Sequence, residues 1–201
     1  MSLYQFAPTP NYNLTSSFAT WQEGFTDEEI DNIIAIGESR RISEASVGAD
    51  ENKKLNGKIR KSKISWIDNA QDSGWLYDRL AYICRKLNGE FFNFDLFGFT
   101  EDMQFTIYNG EDEGHYDFHI DMFEPGGDVS ERKLSMVVQL TDPEKYEGGD
   151  LQIYCSNGCQ NVTKQKGLTA VFPSYLLHKV TPVTSGIRRS LVIWVSGPPF
   201  K

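Results

Sequence analysis

From Met103 onward the apolar side chains recur at every second residue, and this constrains the fold more than any other feature of the chain. Met103, Phe105 and Ile107 alternate with Gln104, Thr106 and Tyr108, and Leu134, Met136, Val138 and Leu140 alternate with Ser135, Val137 and Gln139. Successive side chains of a strand point to opposite faces, so a period of two means strands with one buried side. Further strands are expected over Asp150 to Tyr154, Thr169 to Phe172 and Arg188 to Ser196, the last with Arg188, Ser190, Val192 and Trp194 on one face. Short strands separated by turns, beginning near Phe99, predict a β-sandwich or barrel.

The first half has a different period. Thr26 followed three residues later by Glu29 is a capping-box pattern, and Ile30, Ile33 and Ile34 mark an apolar helix face behind it. A second helix is expected after Asp72 or Ser73, with Leu76, Leu80, Ile83, Cys84 and Leu87 at helical spacing and Asn88-Gly89 at its end. Between the helices, Glu44 to Gly57 is polar and predicts a loop, and Ile59 to Ile67 predicts a strand. Helices first and strands second imply an α+β fold, a jelly-roll core buttressed by N-terminal helices. A length of 201 residues suits one domain. We divide it into an extended arm (1–20), a helical and edge-strand support (21–98) and a β-core (99–201).

A formal net charge of -8 and no basic stripe argue against a nucleic-acid partner. The densest basic stretch, Lys53 to Lys63, is diluted by other residues and reads as a solvated strand edge. Cys84, Cys155 and Cys159 imply no disulfide framework. Cys155 and Cys159 flank the turn signal Ser156-Asn157-Gly158 and read as ordinary thiols. The N-terminus has no signal-peptide pattern, and no apolar run approaches the ~18 residues a membrane helix needs. A soluble, cytoplasmic protein with no membrane partner is the expectation; oligomeric state is not legible.

His119-Ile120-Asp121 places a histidine and a carboxylate two residues apart, and His178 follows much later. On a strand, residues i and i+2 face the same side, so His119 and Asp121 can ligate one ion together with His178 from another strand. Two imidazoles and one carboxylate with open positions are the donor set of non-haem Fe(II) oxygenases. On their own the three residues also fit a surface histidine in a turn and a hydrogen-bonded core histidine. His115-Tyr116-Asp117 repeats the pattern but adjoins the turn Asn109 to Gly114, and His115 reads as a polar loop residue. After His178, Pro182 and Gly186 punctuate a turn that returns Arg188 towards the site, and its guanidinium fork suits a carboxylate. A structural ion pair is the other reading of Arg188; Arg189, of opposite parity, is expected to be exposed.

Residues from about Phe105 to Trp194 resemble the prolyl 4-hydroxylase-like, PKHD-type branch of the Fe(II)/2-oxoglutarate oxygenases. The resemblance rests on Tyr108 with Gly114, Tyr116-x-x-His119-x-Asp121, Arg132-x-Leu134-Ser135, Gly148-Gly149-Asp150-Leu151, Phe172-Pro173-Ser174, and His178-x-Val180-x-Pro182-Val183 leading to Gly186-x-Arg188. It implies a double-stranded β-helix, with iron on His119, Asp121 and His178 and the 2-oxoglutarate carboxylate on Arg188. Tyr108 lines the co-substrate pocket by this resemblance, with Gln139 and Ser190 as further candidates. Gln139 stands where some members carry an aromatic residue. Asp121 argues against a halogenase.

The implied reaction is a dioxygenase hydroxylation that consumes dioxygen and 2-oxoglutarate, with ascorbate as reductant. Its first-choice substrate is a peptidyl proline. A free amino acid, another protein side chain, and a jelly-roll module that keeps a metal without catalysis remain as alternatives. The acidic segments Glu111 to Glu113 and Glu124 to Glu131 are expected to rim the substrate.

Overall fold

The computed structural model describes residues 17–46, 56–122 and 131–200. Most of the expected arm, the middle of the 44–57 loop, and nearly all of the Glu124 to Glu131 rim lie outside the described residues. In chain order the elements are β1 (Ala19–Trp21), α1 (Asp27–Ser39), β2 (Ser43–Glu44), β3 (Arg60–Lys61), β4 (Lys63–Ile67) and α2 (Gly74–Leu87). The strands of the second half are β5 (Met103–Asn109), β6 (His115–His119), β7 (Glu131–Gln139), β8 (Tyr146–Gly148) and β9 (Leu151–Cys155). They continue with β10 (Gly158–Asn161), β11 (Thr169–Pro173), β12 (His178–Val180) and β13 (Val183–Gly197).

Two antiparallel sheets face each other. The larger runs β1-β11-β7-β13-β5-β4-β2, with β8 on the far end of β13; the smaller runs β10-β9-β12-β6-β3. This is the double-stranded β-helix, or jelly roll. Tyr108, Val137, Ala170 and Phe172 from the larger sheet meet Leu151, Ile153, Cys155 and Val180 from the smaller one between the layers. The opposite face of the larger sheet (Met103, Phe105, Leu134, Met136, Val138, Leu191, Ile193) takes both helices. The two-residue alternation of β7 and β13 thus separates a helix-packing side from a site-facing side.

The capping box of α1 is present: Glu29 N donates to Thr26 Oγ1 at 3.2 Å and Thr26 N to Glu29 Oε2 at 2.9 Å. Its buried face is Ile30, Ile33, Ile36 and Gly37, whereas Ile34 is only half-buried. Gly37 lies flat on Phe105, where an added Cβ would come within 2.4 Å of the ring. Gly37→Ala is therefore expected to cost about 2–3 kcal/mol of stability, by overpacking, in chemical denaturation.

Two expected boundaries shift. The strand Ile59 to Ile67 divides at Ser62, sending β3 to the smaller sheet and β4 to the larger. The second helix does not stop at Asn88-Gly89. A wider turn, Asn88–Phe92, continues it, buries Phe92, and ends at Asn93 in the left-handed region (φ 59). Asn88 braces this turn through both the N–H and the carbonyl of Phe94.

All three cysteines are free thiols, with Cys84 and Cys155 buried and Cys159 exposed. Burial pushes the Cys84 thiol up to about 12. One of three thiols is therefore expected to react with a thiol reagent in native protein, and all three after denaturation. Among the described residues no helix is long and apolar enough to cross a membrane.

Candidate metal and co-substrate site

His119 closes β6 and His178 opens β12, and the two are direct partners across the small sheet. Asp121 stands just beyond the end of β6, in a bend rather than within the strand, and its N–H donates to Ser174 O at 2.9 Å. The three side chains converge nonetheless: each offers a ligand atom, all within 4.8 Å of one another. His119 Nε2 lies 3.7 Å from Asp121 Oδ1, and His178 Nε2 lies 3.4 Å from Asp121 Oδ2.

The neighbours of these residues fix their orientation. His119 Nδ1 lies 2.8 Å from Asp117 O and His178 Nδ1 2.9 Å from Leu176 O. A carbonyl only accepts, so each Nδ1 carries the proton, leaving an Nε2 lone pair aimed at the cluster. Burial, with help from nearby His178, pulls His119 down to about 4, so its imidazole is neutral near pH 7. Burial alone would raise Asp121; the two histidines and the Ser135 hydroxyl outweigh it and hold the carboxyl ionised. Burial would depress His178, but the Asp121 carboxylate overcomes this and raises it. The result is a compact group of two imidazoles and one carboxylate that can hold a divalent transition metal.

Ser135 Oγ donates to Asp121 Oδ2 at 2.7 Å and also contacts Ser174 Oγ at 3.0 Å. Arg132 Nη1 donates to Asp121 O at 3.2 Å while its guanidinium pairs with Glu101 and covers the Trp194 ring. Ser135→Ala removes the hydrogen bond that aims Asp121. A 10–100-fold loss of metal affinity is expected, measurable by Mn(II) titration.

Arg188 is the largest of the fully buried side chains, at 1% exposure. Its Nη2 donates to Gln139 Oε1 at 2.9 Å and its Nη1 contacts Ser190 Oγ at 3.2 Å. Its guanidinium also sits 5.3 Å above the Tyr108 ring. Among the described residues no carboxylate pairs with it, so the structural ion pair is not found. Arg188 Nε and Gln139 Nε2 are buried donors with no partner. A buried cation and two orphaned N–H groups are costly unless an anion completes them. The donor set therefore fits the terminal carboxylate of a small dicarboxylate. Tyr108, Gln139, Arg188 and Ser190 stand together as strand neighbours, Ser190 opposite both Gln139 and Thr106, and Arg188 opposite Tyr108.

Four expectations change. The turn after His178 is at Thr181-Pro182. Gly186 lies within β13 with φ 72, where a Cβ would come within 2.1 Å of Lys145 O. His115 belongs to β6 rather than a loop, with its ring between Glu113 O and Lys58 O and outside the metal group. The basic stretch does pass along the edge of the smaller sheet at β3, with Lys58, Lys61 and Lys63 exposed, but Arg60 departs from it. Arg60 is 8% exposed, donates to Gln104 Oε1 at 2.7 Å and Ser62 Oγ at 3.0 Å, and lies 4.5 Å over Tyr116. Tyr116 in turn stacks on His119 with ring centroids 3.5 Å apart. The alternation of buried Arg60 and Ser62 with exposed Lys61 and Lys63 was the available signal. Arg189 is half-buried and pairs with Glu38 at 2.9 Å.

The profile of the 2OG-Fe(II) oxygenase superfamily matches residues 103–196, the stretch that supplies the metal group and Arg188. That segment is what the chain has in common with the superfamily. A PKHD-type hydroxylase of Azoarcus sp. (strain BH72) is 41% identical over 87 residues, 42% of this chain and 38% of that protein. The chain thus spans about two fifths of the curated relatives it matches. In fold it is similar to a crystal structure of a Pseudomonas putida prolyl-4-hydroxylase (TM-score 0.71, 22% identity, 92% of this chain and 95% of that one). It is also similar to a prolyl hydroxylase from Trichoplax adhaerens in complex with a hypoxia inducible factor peptide fragment (TM-score 0.71, 19% identity, 90% and 84%).

Proposed function

We propose that this chain is an Fe(II)- and 2-oxoglutarate-dependent dioxygenase that hydroxylates an unactivated C–H bond of a peptidyl proline. The observation that carries the reading is the pairing of two sites in one interior. His119, Asp121 and His178 form a metal-type group at one end. Arg188, fully buried and without a carboxylate partner, stands at the other. Phe172, whose ring lies 4.8 Å from His178, shares its packing cluster with Tyr108, which lies under Arg188.

His119, Asp121 and His178 hold the iron in this reading, leaving coordination positions for the 2-oxo acid and dioxygen. Arg188 Nε and Gln139 Nε2 take the far carboxylate, with Tyr108 and Ser190 closing the pocket. When bound, iron with 2-oxoglutarate and dioxygen supplies the oxidation, with one oxygen atom passing to the substrate carbon and one to succinate as carbon dioxide leaves. The protein's contribution is orientation and exclusion of water. Arg132 and Ser135 hold the backbone and the carboxylate of Asp121. Tyr116, pinned between Arg60 and His119, fixes the plane of one imidazole. A peptide substrate accords with the relatives: one solved neighbour is named as a prolyl hydroxylase in complex with a peptide.

The test is mass spectrometry of proline-containing peptides incubated with the protein, Fe(II), 2-oxoglutarate and ascorbate. One added oxygen on proline, matched by succinate and absent in His178→Ala, is the expected result. Succinate without peptide oxidation would reject proline as substrate; neither product from iron-loaded protein would reject the dioxygenase reading.

A further inference from the structure

Residues 1–22 contain no Asp, Glu, Lys or Arg, although the whole chain carries a net charge of -8, and they include Pro8-Thr9-Pro10. The described chain begins at the metal end of the larger sheet. β1 is antiparallel to β11, with Ala19 opposite Val171. Carried back one residue, this register sets Phe18 opposite Phe172, and Phe18 packs into the same interior cluster as Phe172. Phe172 touches the His178 ring, and Ser174 just beyond accepts from Asp121 N and contacts Ser135. The chain therefore enters the described fold beside the wall of the metal site.

We propose that the Pro8-Thr9-Pro10 segment of the same chain is itself a substrate, hydroxylated in cis; this rests on the dioxygenase reading above. The reach is sufficient. Pro10 and Ser17 are seven chain steps apart, a span of up to about 24 Å when extended. From the start of β1 to the metal group is one strand spacing to β11 and then the Phe172 ring against His178, roughly 10–15 Å. A tether of this length gives an effective concentration in the millimolar range, well above any free peptide in a dilute assay. The surroundings match the segment in kind. Ile120, between two of the metal-type residues, and Tyr175 and Leu177, between Ser174 and His178, are exposed apolar side chains. An uncharged stretch holding Tyr4, Phe6 and Leu14 suits that rim. The balance is that of the proposed reaction: a C–H of proline becomes C–OH, dioxygen gives its other atom to succinate, and 2-oxoglutarate loses carbon dioxide.

The full-length chain, loaded with Fe(II), 2-oxoglutarate and ascorbate in air and given no peptide, is digested and fragmented by mass spectrometry. One added oxygen localised to Pro8 or Pro10, and absent in His178→Ala, is expected. The fraction modified at a fixed time should not change on tenfold dilution of the protein; a tenfold fall would overturn the reaction in cis. A second readout needs no turnover. With Mn(II) and 2-oxoglutarate bound, amide exchange between Tyr4 and Leu14 should slow several-fold and recover when excess proline peptide is added. An unmodified segment with unchanged exchange, in a preparation that hydroxylates added peptide, overturns the proposal and leaves the dioxygenase reading standing. No succinate under any condition overturns both.

Discussion

Asp121→Ala should abolish stoichiometric metal binding and lower turnover by more than about 100-fold. The carboxylate is the one anionic member of the group and sits between both imidazoles, at 3.7 Å from His119 Nε2 and 3.4 Å from His178 Nε2. Loss of a residue that merely orients a ligand costs 10–100-fold in metal affinity, so loss of the ligand itself must cost more. Mn(II) calorimetry reads the effect directly: one ion per chain in the unaltered protein and none in the variant. Full occupancy in Asp121→Ala would remove this carboxylate from the metal centre. The fold should survive, because the substitution removes a buried charge and leaves the two histidines neutral rather than stranding a cation.

Replacing Arg188 by leucine should weaken 2-oxoglutarate binding by about 3 kcal/mol, roughly 150-fold, with metal binding unchanged. A charge-assisted bidentate contact to a carboxylate is worth about that much. Gln139→Leu should cost less, about 1.5 kcal/mol or tenfold, since it removes one neutral donor. Because both side chains share the Arg188 Nη2 to Gln139 Oε1 hydrogen bond of 2.9 Å, the double variant should lose less than the sum. Calorimetry of 2-oxoglutarate on Mn(II)-loaded protein measures all three. An Arg188→Leu protein with unaltered affinity would return the guanidinium to a structural role.

What the sequence made legible follows from which signals are local. Period-two alternation in Met103 to Tyr108 and Leu134 to Leu140 identifies strands and their two faces, because a strand's burial pattern is written in adjacent residues. The capping box at Thr26 and Glu29 is equally local. Pairing is not: nothing in Ile59 to Ile67 says that Ser62 divides it between two sheets, nor does Gly186 announce that it lies inside β13 rather than in a turn. The convergence of His119, Asp121 and His178 was readable only as a possibility of spacing, since Asp121 lies beyond the strand and is placed by Ser174, Ser135 and Arg132. The burial of Arg60 was hidden for the same reason. A basic stretch can be solvated at its lysines and still turn one arginine inward, here onto Tyr116.

The two halves of the site make one claim, that metal and dicarboxylate are held for a common reaction, and stoichiometry under oxygen tests it most directly. Protein loaded with Fe(II) and 2-oxoglutarate under anaerobic conditions is exposed to dioxygen in the presence of a proline peptide. The reading predicts one succinate and one carbon dioxide for each 2-oxoglutarate lost, with one oxygen atom gained by the peptide. All of these should vanish in His178→Ala and, at low co-substrate, in Arg188→Leu. Intact 2-oxoglutarate recovered from fully iron-loaded protein, or succinate formed equally well by His178→Ala, would contradict it.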